Sequence, residues 1–167
     1  ERAWLRLFLD AGRMQCLRCH NGPLLTNQGF HHVGTSAGRE TLPDLGRFLG
    51  IQAVQLDPFN CEGPYSDAAP EQCGELRFLA TDDAGSRIGS FKTPTLRGVA
   101  ATAPYMHDGR FATLAEVVEH YRRPPPPPHE LAPLDLTERE AAQLAAFLAT
   151  LGPELAGDGR WRAAPDD

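Results

Sequence analysis

The chain contains three stretches in which hydrophobic residues recur every three or four positions, the spacing of an amphipathic helix. They predict helices over residues 2–13, 114–121 and 138–151. The third stretch has the clearest hydrophobic stripe, and Gly152-Pro153 follows it as a stop signal. In the first stretch, the residues on the apolar face are Trp4, Leu7, Phe8 and Ala11.

Two of these helices begin with a capping box, in which Thr caps the backbone and Glu returns the hydrogen bond three residues later. Thr113 and Glu116 form one such pair, and Thr137 and Glu140 form the other. The two pairs fix where the second and third predicted helices start.

Residues 21–92 show no helical period and are rich in Gly and Pro, which predicts a long irregular region. A loop of this length is uncommon inside a compact domain, unless it wraps around a large group that is not protein. Further along, the run Pro124 to Pro128 predicts an extended polyproline II spacer at the surface.

Composition and charge narrow the possible functions. The 167 residues suffice for one domain with a single core, predicted over residues 1–155 with a tail at 156–167. A net charge of −6 argues against nucleic-acid binding. No apolar run approaches the roughly 18 residues of a membrane span. The N-terminal stretch does not resemble a signal peptide, and its helix begins at Glu1 without a cap, so we expect residues upstream of this sequence.

The first candidate site is "CLRCH", which places Cys16, Cys19 and His20 in the spacing C-x-x-C-H. A structural zinc site needs a second pair of ligands, but Cys61 and Cys73 are too far apart in sequence to form one. A thioredoxin-like dithiol needs a βαβ pattern, which is absent from the sequence. The motif therefore favours covalent c-type haem with His20 on the iron, with zinc and a redox dithiol as the alternatives.

A second iron ligand is predicted at Met106. Met14 lies just before the motif on the side of His20, so it cannot reach over the ring, whereas Met106 lies far along the chain in a Pro/Gly-bounded loop. A thioether is a soft ligand that favours Fe(II). His107 is the rival ligand, although its neighbour Asp108 suits it for a hydrogen bond.

Two longer stretches resemble a known family. "FKTPTLRGVAATAPYMHDGRFATLAEVVEHY", residues 91–121, and "CLRCHNGPLLTNQGFHHVGT", residues 16–35, are similar to bacterial dihaem cytochrome c peroxidases and their MauG-like relatives. The closing "LTEREAAQLAAFLATL" is similar to the last helix of that family. Residues 16–35 are similar to the stretch around the second haem of the family, so the resemblance covers only its C-terminal haem domain. The sequence has no second C-x-x-C-H.

The resemblance implies roles for individual residues. His20 matches the proximal ligand, Met106 the distal one, and Arg97 a basic residue near the haem. Calcium at a domain interface is a further implication, through a segment that includes Thr93 and Pro94. MauG-type enzymes use a Tyr as distal ligand; the nearby residue here is Phe111, which supports Met106 and an electron-transfer role.

Covalent haem is attached outside the cytoplasm, where disulfides persist, so we expect a periplasmic or otherwise extracytoplasmic protein with a Cys61–Cys73 bridge in the long loop. His31 and His32 are expected to hydrogen-bond loop carbonyls or a haem propionate.

The predicted fold class is mainly α: a c-type cytochrome fold with long irregular loops around one covalent haem. We expect an electron-transfer domain, with no catalytic residue of its own, whose partner is another redox protein or a second haem domain. One alternative is part of a dihaem peroxidase or MauG-like oxidase with its peroxidatic haem elsewhere. The other is a haem-containing interaction subunit of a larger complex.

Overall fold

The computed structural model describes residues 2–36, 43–76, 79 and 88–152. The predicted tail at 156–167 and the predicted domain end at 155 lie outside these residues. Most of the regular structure in the described ranges is helical. The helices are α1 (Arg2–Leu9), α2 (Arg47–Leu56), α3 (Leu114–Arg122) and α4 (Glu138–Ala149).

Helix α4 packs against both α1 and α3 and forms the centre of the core. The rings of Phe8 on α1 and Phe147 on α4 meet with their centroids 5.4 Å apart. Arg13, just after α1, donates to Glu140 of α4 at 3.3 Å. The N-terminal and C-terminal helices of the domain therefore cross, as the c-type cytochrome prediction expects. The fully buried members of the core are Phe8, Met14, Val118, Leu134, Leu136, Leu144 and Leu148.

Both predicted capping boxes are present. The Thr113 hydroxyl accepts from the Glu116 amide at 3.2 Å, and the Glu116 carboxylate accepts from the Thr113 amide at 2.8 Å. Thr137 and Glu140 form the same pair of bonds at the start of α4. These local bonds place the starts of α3 and α4 where the sequence predicted them.

Helix α1 is shorter than predicted and ends at Leu9 rather than at residue 13. The Asp10 carboxylate accepts hydrogen bonds from the amides of Gly12 and Arg13, both at 3.1 Å. This side chain offers the backbone a turn that competes with the helix. As a result, Ala11, predicted on the apolar face, is exposed.

The prediction that residues 21–92 are wholly irregular is wrong, because this region contains the ten-residue helix α2. Its start is set by Gly46, whose left-handed backbone (φ 55°) and close approach to the Ser90 carbonyl leave no room for a side chain. Only Ile51 of α2 is buried, so the helix has a weak hydrophobic stripe.

A two-stranded antiparallel sheet joins the two ends of the same region. Strand β1 (Phe30–His31) pairs with β2 (Phe91–Lys92), with Phe30 opposite Lys92. This pairing brings the segment after the C-x-x-C-H motif against the segment that leads toward Met106.

Cys61 and Cys73 form a disulfide with a Cα–Cα distance of 5.5 Å, so that prediction is confirmed. The bridge closes the loop that follows α2. At the loop surface the rings of Phe59 and Tyr65 stack with their centroids 5.0 Å apart.

The proline run is more tightly packed than the extended spacer that was predicted. The chain bends from residue 126 onward, and Pro125 lies so close to Gly34 that a Cβ there would meet its ring at 2.7 Å. His129 donates to the Pro125 carbonyl at 2.6 Å. Pro124 and Pro125 are therefore half-buried against the domain, whereas residues 126–128 are exposed, as the surface prediction expects.

Within the described residues, no helix has the length and apolar character needed to cross a membrane.

We expect Leu144→Ala to lower the free energy of unfolding by about 2–5 kcal/mol, because it leaves a cavity in the core. Leu144 is 4% exposed, whereas Leu56 is 83% exposed. The matched change Leu56→Ala should alter the same quantity by less than about 0.5 kcal/mol. Urea unfolding followed by circular dichroism measures both, and equal losses would contradict the assigned core.

Replacing both bridge cysteines, as Cys61→Ser with Cys73→Ser, should cost about 3 kcal/mol of stability, because the open loop restores conformational entropy to the unfolded chain. The exposed neighbour Glu62 provides a control, since Glu62→Ala should leave the urea midpoint unchanged. Peptide mapping under non-reducing conditions that finds both thiols free would show that the bridge is absent.

Candidate cofactor-binding cavity

A cavity of about 440 Å³ opens between α1, α3, α4 and the surrounding loops. Its wall is mostly apolar, and it includes core side chains such as Phe8, Val118 and Leu148. Cys16, Cys19, His20 and Met106 all lie on this wall. The structure therefore brings together four of the five predicted cofactor-binding residues.

The C-x-x-C-H motif forms a short 3-10 turn, Cys16–Arg18, directly after the core residue Met14. The Cys16 carbonyl accepts from the amides of Cys19 at 3.3 Å and His20 at 2.8 Å. Asn27 binds back to the turn, with its amide on the Cys19 carbonyl at 2.7 Å. These bonds present both thiols and the imidazole to the same cavity.

The His20 ring is oriented by the loop that follows it. Its Nδ1 donates to the Leu25 carbonyl at 3.0 Å, which leaves Nε2 as the ring nitrogen with a free lone pair. Burial lowers the pKa of His20, although the carbonyls of Leu25 and Pro94 act in the opposite direction. The ring is therefore neutral at pH 7, the form that binds a metal.

The two thiols do not have the properties of a redox dithiol. Burial raises the pKa of Cys16 to about 11 and raises the pKa of Cys19 as well. A redox-active C-x-x-C instead needs a lowered pKa, because the thiolate is the nucleophile. The zinc alternative lacks ligands, since Cys61 and Cys73 bind each other and the described residues hold no cluster of three metal-binding side chains.

Met106 reaches the cavity from a tight loop. The backbones of Tyr105 and Phe111 pair across its base, with N–O distances of 2.7 and 3.4 Å. Gly109 donates to the Met106 carbonyl at 3.3 Å. The backbone of Met106 is left-handed, with φ of 69°, which is uncommon for a residue with a side chain.

The predicted pairing of His107 with Asp108 is wrong. The His107 ring stacks on Phe91 with a centroid distance of 3.5 Å, and its Nε2 lies 3.3 Å from the Asp44 carboxylate. Asp108 instead binds Arg110. Sequence proximity suggested Asp108 as the partner of His107, but the fold places Asp44, from the long irregular region, beside the ring.

Arg97, the fifth predicted residue, lies outside the cavity wall. Its Nε donates to the Pro23 carbonyl at 2.9 Å, so it supports the loop after the haem motif. Thr93 and Pro94 do line the cavity, and the Thr93 carbonyl accepts from the Thr26 hydroxyl at 2.7 Å. The calcium site suggested for this segment stays a prediction.

The rings of His31 and His32 have partners other than the loop carbonyls expected for them, and the alternative of a haem propionate stays a prediction. Nδ1 of His31 lies 2.9 Å from the Glu130 carboxylate, and its Nε2 accepts from Asn27 at 3.0 Å. His32 binds Ser36 at 3.2 Å through its ring and donates its amide to Glu130 at 2.8 Å. Glu130 therefore fastens this segment to the chain after the proline run.

Glu130 and Tyr121 are among the cavity-wall residues whose place at the site sequence reasoning missed. Burial raises the pKa of Tyr121, so its hydroxyl stays protonated. The helical pattern identified Tyr121 only as a core residue. Glu130 carries no local signal, because its partner His31 is far away in sequence.

Comparison with known proteins identifies relatives of this chain. A family model described as RoxA-like, cytochrome c-like matches residues 90–125. The cytochrome c peroxidase IdrP1 of Denitromonas iodatirespirans is 34% identical over 90% of this chain and 42% of its own length. The methylamine utilization protein MauG of Methylorubrum extorquens is 32% identical over 89% of this chain and 34% of its own length.

A solved structure has the same fold. The crystal structure of a MauG-like protein associated with microbial copper homeostasis superposes with a TM-score of 0.55, at 26% identity, over 92% of this chain and 46% of that one. The chain thus spans less than half the length of these relatives.

Proposed function

On the premise that this chain belongs to the family of the bacterial cytochrome c peroxidases and MauG proteins, we propose that it is their electron-transfer haem domain. In this proposal it binds one haem covalently and relays electrons to or from a partner redox centre. The observation that supports this is the convergence of two thiols, an imidazole and a thioether on one apolar cavity.

The residues present fit a c-type haem. Cys16 and Cys19 would form the thioether links, and His20 and Met106 would bind the iron from their positions on the wall. The neutral His20 ring, held through Nδ1, offers Nε2 as the ligand atom. The mostly apolar wall suits a flat, hydrophobic macrocycle.

When bound, the haem supplies one-electron chemistry between Fe(II) and Fe(III). The chain sets its potential through three features: the soft Met106 thioether, the hydrogen bond that orients His20, and an apolar wall that limits access of water. The thioether and the apolar wall favour the less charged Fe(II) state, so we infer a relatively high potential.

Peroxide activation needs an open ligand position and an acid–base group beside it. If Met106 and His20 both bind the iron, no position remains for peroxide. The chain by itself is then an electron carrier rather than a peroxidase.

A second candidate is that this domain is one part of a dihaem peroxidase or MauG-like oxidase. The observation favouring it is that the matched relatives are more than twice as long as the region this chain covers. We propose that this region corresponds to their C-terminal haem domain. The mass and haem content of the native protein distinguish the two candidates, because a dihaem enzyme contains two haems per polypeptide or complex.

We further propose that the protein works in the periplasm or another extracytoplasmic space. Covalent haem and the Cys61–Cys73 bridge both fit an oxidising compartment.

Denaturing mass spectrometry of protein matured in a periplasm competent for haem attachment should show one haem retained on the chain. The variant Cys16→Ala with Cys19→Ala should lose it, because no thiol remains to form the links. Cys61→Ser with Cys73→Ser provides the control, since both cysteines lie outside the cavity and their loss should leave the haem mass unchanged. A haem-free wild type would contradict the proposal.

Oxidised wild-type protein should show the charge-transfer band of a thioether bound to ferric haem. Met106→Ala should abolish the band and open the site to water, whereas Met106→His should stay low-spin with a lower potential, because imidazole favours Fe(III) more than a thioether does.

The other methionine of the chain, Met14, serves as the control, and Met14→Leu should keep the band. If Met106→Ala keeps both band and potential, a different residue is the ligand. His107 would be the first to test, since it also lies on the cavity wall.

A further inference from the structure

The Met106 loop carries a strained residue at its functional position. A left-handed backbone at a methionine persists only where surrounding structure holds it. The bonds between Tyr105 and Phe111 and from Gly109 to Met106 close the loop on itself. These bonds do not fix the position of the loop relative to the opposite wall of the cavity.

Arg110 makes one such connection, beside the His107 ring that stacks on Phe91 of the wall. Nη2 of Arg110 donates to the carbonyl of Thr35 at 2.7 Å. Thr35 lies on the cavity wall and is only 1% exposed. The Arg110 side chain is itself largely buried. The bond therefore joins the Met106 loop to a buried segment after β1.

Asp108 aims the guanidinium at this target. Nε of Arg110 lies 3.0 Å from both carboxylate oxygens of Asp108, and Nη2 lies 2.8 Å from one of them. The planar guanidinium presents several donors along one edge, so Arg110 binds Asp108 and Thr35 together. A lysine ammonium cannot reproduce this fork.

The segment that receives the bond is held in place independently. The Val33 carbonyl accepts from Nε2 of His120, on α3, at 2.7 Å. The amide of His32 donates to the Glu130 carboxylate at 2.8 Å. Thr35 is therefore a fixed anchor, and Arg110 transmits its position to the loop.

We propose that Arg110 is a positioning residue that holds the Met106 thioether over the cavity, with Asp108 orienting it and the Thr35 carbonyl as its anchor. This inference rests on the proposed function, in which Met106 binds the haem iron. Loss of the fork would raise the fraction of molecules in which Met106 has left its position.

The test compares Arg110→Lys with wild type in the haem-loaded chain, well below the melting temperature. The thioether charge-transfer band should weaken in Arg110→Lys. Added imidazole should bind about tenfold more tightly, because apparent affinity rises with the fraction of open sites. A residue that served only the fold would change the melting temperature and leave the band and the imidazole affinity of the folded protein unaltered.

Arg123→Ala is the matched control, because Arg123 is exposed and pairs with Glu119 at 3.1 Å, outside the cavity wall. It should behave as wild type in both measurements. Asp108→Asn keeps the shape of the side chain and removes its negative charge, so it binds the Arg110 guanidinium more weakly. Asp108→Asn should shift both measurements in the same direction as Arg110→Lys, but by less. If Arg110→Lys fails to take up haem, Asp108→Asn tests the positioning role instead.

Met106→Ala separates the positioning role of Arg110 from the assignment of Met106 as the iron ligand. If Met106→Ala loses the band while Arg110→Lys and Asp108→Asn keep the wild-type band and imidazole affinity, the positioning role is overturned and the proposed ligand stands. If Met106→Ala keeps the band, the ligand assignment fails and the role of Arg110 fails with it.

Discussion

The hydrophobic core of this domain and the wall of its cavity are built from the same side chains. Phe8, Val118 and Leu148 are core residues that also face the cavity. A mostly apolar cavity of about 440 Å³ inside such a small core means that its lining side chains contact fewer protein atoms than a close-packed core would give them. Filling it with a flat apolar group would complete the core, so binding free energy adds directly to folding free energy. In the proposed haem domain, helix packing and cofactor binding would therefore stabilise the fold together.

The parts of the structure that the sequence could predict are those with local causes. The capping pairs Thr113–Glu116 and Thr137–Glu140 lie within one helical turn, and they located α3 and α4. The C-x-x-C-H motif around Cys16 was visible from its spacing, and the structure places its two thiols and its imidazole on one cavity wall. Helix α2 was missed because only one of its side chains is buried and it begins at a glycine with no side-chain cap.

The contacts that could not be predicted join residues far apart in the chain. Glu130 meets His31 across the domain, and Asp44, which lies within the long irregular region, reaches His107. The sequence suggested a loop carbonyl as the partner of His31 and the neighbouring Asp108 as the partner of His107. Periodicity and spacing describe neighbours along the chain, whereas these pairs are set by how β1 and β2 fold the loop back on itself.

The Cys61–Cys73 bridge has a consequence for how the protein is assembled. Four cysteines allow three complete pairings, and only one of them joins Cys61 to Cys73. That pairing would also oxidise Cys16 and Cys19, whereas cofactor attachment requires both as thiols. If haem is attached at Cys16 and Cys19 as proposed, maturation has to oxidise one pair of cysteines and keep the other pair reduced in a single polypeptide. Cys16 and Cys19 lie in the turn after α1, whereas Cys61 and Cys73 lie in the loop after α2. The two pairs could then be processed separately, and a chain with Cys16 or Cys19 in a wrong disulfide could not form both thioether links until that disulfide was reduced.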